Sequence, residues 1–183
     1  MSVQLPALVF IDGNELRAAE LRQVLPGVAL SIEALQSGFS TSAPEPGQRA
    51  RDKVLAHPLG HGVMTACFAE AVDLTTRDGK SLRLELDSEN ENRFCKWWRE
   101  TPAIMQLVVA LRRAPDADLE LFTAACEGRI ADKPAGPHVL GWDRLFVPDG
   151  EDATLAQLIE AGELSALRRD AYTSLANALH GAD

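Results

Sequence analysis

The stretch His138–Leu158, HVLGWDRLFVPDGEDATLAQL, decides how the chain is read. Leu145, Phe146 and Val147 are a short apolar run of the kind that forms a buried strand. Pro148-Asp149-Gly150 then turns the chain toward a helix starting near Thr154. Ahead of the strand, Gly141-Trp142-Asp143 sets an indole beside a carboxylate. An aromatic face next to a fixed acceptor suits a flat, hydrogen-bonding ring. Arg168, in LSALRRDAY, can add a donor to that ring's edge. The plainer alternative is a core tryptophan beside a surface ion pair.

Upstream of this stretch, AIMQLVVAL and LELFTAACEGRI are two apolar strands joined by the polar turn RRAPDAD. VDLTT-RDGK-SLRLEL predicts a hairpin about Asp78-Gly79. Ser88 with Glu91 three residues on predicts a capping box for the helix carrying Phe94, Trp97 and Trp98. Trp97 and Trp98 suit a partner helix or a dimer contact. Nearer the start, Ala7–Ile11 is strand-length and apolar, and Asp12, Gly13 or Asn14 caps a helix behind it. VALSI predicts a second strand, QRARDKVLAH a second helix and GVMTACFA a third strand. A helix follows Thr154, and another runs through Ala171 and Leu175. The order βαβα, antiparallel strands, βαα predicts an α/β fold. We expect a single two-lobed domain over residues 1–183, with a long mixed twisted sheet, flanking helices and a cleft between the lobes.

The chain has 183 residues, of which 46% are hydrophobic and 25% charged, the balance of a globular protein. Its formal net charge of -9 excludes an electrostatic nucleic-acid binder. The opening MSVQLPALVFIDGN lacks a basic segment, and its apolar run is too short to span a bilayer, so no membrane role and a cytoplasmic location are expected. Cys67, Cys95 and Cys126 show no metal spacing and read as core thiols. His57 and His61 are four apart, but Pro58 and Gly60 between them break the helix a shared metal would need.

DGNELRAAE (Asp12–Glu20) places a glycine turn between a strand and a helix. Such a turn aims backbone N–H groups at an anion, with Arg17 one turn in. A capped helix and nothing more is the plainer reading of the same string. Glu20, Glu45, Glu70 and Asp73 are the carboxylates available to a divalent metal, although none lies in a tight acidic motif.

Together these residues resemble the inosine triphosphate pyrophosphatase family, enzymes that hydrolyse non-standard purine nucleoside triphosphates. The resemblance runs nearly end to end and is strongest over Leu121–Leu158. Gly128, Arg129, Ile130, Gly141, Trp142, Asp143, Phe146, Pro148, Gly150, Thr154 and Ala156 fit the family frame there, with Arg144 in place of its usual proline. Near the start Gly13, Asn14 and Glu20 match, and Arg17 stands where the family has a phosphate-binding lysine.

The resemblance implies hydrolysis between the α- and β-phosphates, magnesium as cofactor and a homodimer. It implies that Asp12, Gly13, Asn14 and Arg17 hold phosphates while Trp142, Asp143 and Arg168 hold the base. Several positions depart from the family pattern. Asp12 replaces a threonine, Met64 and Thr65 occupy two acidic positions, and only Arg168 remains of a Ser-His-Arg base-reading motif. Catalysis and metal binding would then pass to Glu45, Glu70 or Asp73, with Glu45 and Glu70 as metal ligands. A catalytically silent relative that binds a nucleotide or a protein partner stays open, as does an enzyme acting on another nucleotide-like molecule.

Overall fold

The computed structural model describes residues 6–59, 65–83 and 88–181. Its centre is one six-stranded sheet in the order β2-β1-β3-β4-β5-β6. The strands are β1 (Ala7–Ile11), β2 (Leu30–Glu33), β3 (Thr65–Thr76), β4 (Pro102–Arg112), β5 (Glu120–Ile130) and β6 (Phe146–Pro148). Strand β1 pairs parallel with β2 and β3, and the other three pairings are antiparallel. Helices α1 (Glu15–Val24), α2 (Pro46–Ala56), α3 (Ser88–Trp98), α4 (Leu155–Glu160) and α5 (Ala166–His180) complete the α/β fold, with a 3₁₀ segment at His138–Leu145.

Side-chain alternation along the strands builds two hydrophobic layers. Leu8 and Phe10 of β1, with Ala66 and Phe68 of β3, pack with α1 and α5 residues such as Leu21, Leu167 and Tyr172. Val9 and Ile11, with Cys67, Ala69 and Ala71, pack against Ala50 and Val54 of α2. Strand β1 is covered on both faces, which is why it reads as an unbroken apolar run. Phe10 stacks on Phe68 with centroids 4.3 Å apart.

Several local expectations are revised. The expected third strand and the first arm of the hairpin are one twelve-residue strand, β3. The turn does form, with Gly79 at φ 86°. Its return arm is a single bridge, Thr75 to Ser81, within the described residues, and residues 84–87 of the predicted hairpin lie outside them. The capping box expected of Ser88 and Glu91 lies outside the described side chains; Glu91 itself is buried and paired with Arg144. The Ser88 side chain, Met64 and His61 lie outside what is described, and the His57 ring contacts Glu33 at 2.7 Å. No helix among the described residues is long and apolar enough to cross a membrane.

Candidate functional site

The fold leaves a crevice where β1 stops. Ile11 is the last residue of β1 to pair with β3, at Ala69, and β3 runs on through Glu70, Ala71 and Val72 without that neighbour. Open sheets bind ligands beyond the carboxyl ends of their parallel strands. Here that place is a groove of about 400 Å³. The Asp12-Gly13-Asn14 turn forms one wall, Arg49 and Lys53 of α2 another, and Val139, Gly141 and Trp142 a third. The indole-bearing loop and the amino-terminal turn therefore share one cavity.

Each wall has a local cause. A Cβ on Gly13 would run into the Phe10 ring, so only glycine lets the turn close over the strand end. Asn14 caps α1, its Oδ1 accepting from the Arg17 N–H at 3.0 Å. Gly141 sits at φ 51° and ψ -118°, a conformation closed to most side chains, and it kinks the 3₁₀ segment just before Trp142. The indole is half-buried and packs edge-on against Phe94, with centroids 5.8 Å apart. Arg144 fixes the same segment from behind, donating to the Gly136 carbonyl at 3.0 Å and to Glu91. An arginine at the usual proline position thus ties the loop to α3.

Asp143 and Arg168, expected on the base edge, lie behind the groove wall. Both are completely buried, and Arg168 Nη1 is 3.1 Å from Asp143 Oδ2. Arg168 Nε also lies 3.4 Å from Glu70 Oε2 and 3.6 Å from Glu20 Oε2. Tyr172 donates its hydroxyl to Glu70, and Ser165 donates from both N and Oγ to Glu20. Burial alone would lower the Arg168 pKa; the three surrounding carboxylates outweigh it and hold the guanidinium well above its ordinary value. Burial pushes the Glu20 carboxyl up despite Arg168, and burial with Glu70 pushes the Tyr172 phenol well up.

Arg17 bridges this network and the groove. It lines the cavity, yet its Nη2 donates to Leu140 O at 3.3 Å and Asp143 Oδ2 at 3.4 Å, and its Nη1 is 3.9 Å from Glu70. Its charge is largely spent on holding the Trp142 loop.

The expected catalytic acids do not converge. Alternation along β3 sends Glu70 toward α5 and Asp73 toward α2. Glu70 touches the groove, but its carboxylate is held by Arg168 and Tyr172. Asp73 lies off the groove, 3.9 Å from Arg49, with its pKa raised by burial. Glu45 is exposed at the start of α2 and makes no capping bond. The expected metal pair, Glu45 and Glu70, is therefore not assembled. No group of three or more His, Cys, Asp or Glu able to hold a metal occurs among the described residues. With Glu70 and Asp73 beside arginines and Glu45 exposed at the start of α2, these side chains do not fit a resident magnesium ion.

Lys53 was not anticipated from sequence. Its Nζ lies 2.7 Å from Asp12 Oδ2 and donates to the Glu70 carbonyl at 3.2 Å. Only the packing of α2 across β3 and β4 brings it there. The one available signal was its place in a helix whose Ala50 and Val54 face the core.

With the groove described, likeness to known proteins can be placed. The model of the Ham1 family matches residues 60–178. The chain belongs to the Ham1 family. A dITP/XTP pyrophosphatase of Deinococcus deserti is 31% identical over 164 residues, covering 82% of this chain and 78% of its own. An inosine triphosphate pyrophosphatase of Yarrowia lipolytica is 28% identical over 160 residues, covering 84% and 85%. The solved HAM1 protein from Coxiella burnetii superposes with a TM-score of 0.67 at 18% identity, covering 96% of this chain and all of that one. At that identity the superposition shows the fold, and the mixed six-stranded sheet with flanking helices is that fold. The family named from Trp142 and Asn14 and the family found by comparison are the same.

Proposed function

We propose that the chain is a nucleoside triphosphate pyrophosphohydrolase acting on a non-standard purine nucleotide such as inosine or xanthosine triphosphate. The supporting observation is that Trp142 and the Asn14 turn line one groove. In this reading the purine lies on Trp142, a sequence-tolerant contact worth about 1–3 kcal/mol. The phosphates lie toward Gly13 and Asn14, where the N-terminus of α1 favours negative charge, and Lys53 is the cation that reaches them. Water attacks the α-phosphorus, the bond to the β-phosphate oxygen breaks, and pyrophosphate leaves. Asp143 and Arg168 act by position: with Arg17 they hold the loop that carries Trp142. A magnesium ion, if required, would come with the substrate rather than be held by these side chains. A homodimer, a cytoplasmic location and action of the whole chain as one unit belong to the same proposal.

Pyrophosphate release from inosine, xanthosine, adenosine and guanosine triphosphates tests it. The expected result is turnover of the first two in preference to the others. Trp142→Ala should raise KM about tenfold or more, in line with the loss of one stacked base. Failure of all four to yield pyrophosphate contradicts the reading. A second reading, binding without turnover, is favoured by Glu70, whose carboxylate Arg168 and Tyr172 already occupy. Nucleotide-induced thermal stabilisation without pyrophosphate release distinguishes it.

A further inference from the structure

The three cations that line the groove differ in what holds them. Arg17 is committed to Asp143, Glu70 and the Leu140 carbonyl. Arg49 donates to the Ala43, Pro44 and Val72 carbonyls and lies beside Asp73. The carboxylates facing these two arginines are buried or nearly so. Among the described groove-lining cations, Lys53 alone is paired with an open carboxylate, Asp12, whose side chain is 47% exposed. Asp12 also sits at φ 56°. That left-handed backbone admits aspartate and asparagine more readily than other side chains, and it turns the carboxylate over the strand end toward α2.

We propose that Asp12 is an internal stand-in for phosphate. With the groove empty it occupies Lys53; an entering phosphate chain must take Lys53 from it and then sit beside its charge. Asp12 is thus a residue that sets affinity and charge preference, discriminating against ligands in proportion to the negative charge they bring near Lys53. This rests on the nucleotide reading, in which that end of the groove receives phosphates. No bond is made or broken by Asp12; it exchanges one ion pair for another.

The test is calorimetric binding of inorganic tripolyphosphate and of orthophosphate, in the presence of a chelator. The proteins are the full chain, Asp12→Asn, Lys53→Met and the double variant. Asparagine keeps the left-handed turn and removes the charge, and a melting temperature close to that of the unmodified chain verifies its fold. The expected result is tripolyphosphate binding about tenfold or more tighter in Asp12→Asn, with a smaller gain for the less charged orthophosphate. In the Lys53→Met background the same Asp12→Asn change should gain much less, because there is no lysine left to release.

Equal or weaker tripolyphosphate binding by Asp12→Asn overturns the proposal, and so does a full gain that persists without Lys53. Absence of tripolyphosphate binding to Asp12→Asn at millimolar concentration overturns it as well. The two levels fail separately. Pyrophosphate release from inosine triphosphate with no gain in Asp12→Asn sinks the stand-in and leaves the nucleotide reading intact. A gain in Asp12→Asn with no pyrophosphate release from any nucleotide does the reverse.

Discussion

Two sets of ion pairs lie on either side of Trp142, and they do opposite things. Behind the indole, Arg168 is sealed among Glu20, Glu70 and Asp143, with Tyr172 donating to Glu70 and Ser165 to Glu20. In front of it, Lys53 and Asp12 meet at the edge of an open groove. The chemistry is the same, an ammonium or guanidinium against carboxylates. What differs is water. Charges out of water cannot lose a partner cheaply, because the one left behind is stranded. Charges at the edge of water exchange partners with little effect on stability. The sealed set therefore holds the loop in shape, and the open set is free to meet a ligand.

Replacing Arg168 should have the largest effect. Arg168→Met leaves three buried carboxylates facing one another, and urea unfolding should show a loss of about 3–5 kcal/mol or failure to fold. A loss below 1 kcal/mol would show that the network is solvated and erase the contrast. Next comes Gly141→Ala. It places a side chain at φ 51° and ψ -118°, a strain of about 1–3 kcal/mol, and it should raise KM for nucleotide by displacing Trp142.

The buried network also has a pH signature. Burial raises the Glu20 pKa in the folded protein above its unfolded value. The folded state thus holds a proton that the unfolded state has released between those two values, and stability falls as pH rises through that window. Glu20→Gln should remove this contribution, so the difference in unfolding free energy between the two proteins should change with pH there and stay flat above it. A difference independent of pH across the acidic range would contradict the assignment.

The smallest effect on stability is expected in front of the indole. Lys53→Met should change unfolding free energy by about 1 kcal/mol or less while weakening polyphosphate binding. The same substitution in the sealed set would do the opposite, which is the contrast in its sharpest form.

The legible parts of this molecule were those set by short-range pattern. Ala7–Ile11 is β1, residue for residue, because an unbroken apolar run has only one way to be buried on both faces. Asn14 caps α1, and the strand after Trp142 forms one residue on from the Leu145–Val147 run, as Phe146–Pro148, with Leu145 closing the 3₁₀ segment. In sequence, GVMTACFA and VDLTT read as two pieces, and β3 carries Glu70 and Asp73 within one strand. They are tolerated in one continuous strand because alternation hands the first to Arg168 and the second to Arg49.

Partners over long range were hidden for the same reason. Asp143 and Arg168 look like donors and acceptors for a ring until their mutual burial is known. The Glu91 pairing with Arg144, far along the chain, leaves no mark in the local sequence. Lys53 looks like any helix lysine until α2 packs across β3 and β4. Thr154 and Gln157 form a capping box at α4, a short-range signal carried by the sequence itself. Among the cysteines, Cys67 and Cys95 are core thiols, as their sequence context predicts, with burial pushing each pKa up to about 11.

The central claim is that one groove takes a heterocycle at Trp142 and phosphates at the Asn14–Lys53 end. A crystal structure with an inosine triphosphate analogue blocked at the α,β-bridge tests it most directly. The account predicts the purine against the Trp142 face, the phosphates at the α1 N-terminus, and Lys53 moved off Asp12 onto a phosphate oxygen. A nucleotide bound away from Trp142, or bound there with Lys53 still on Asp12 and its phosphates pointing out of the groove, would contradict it.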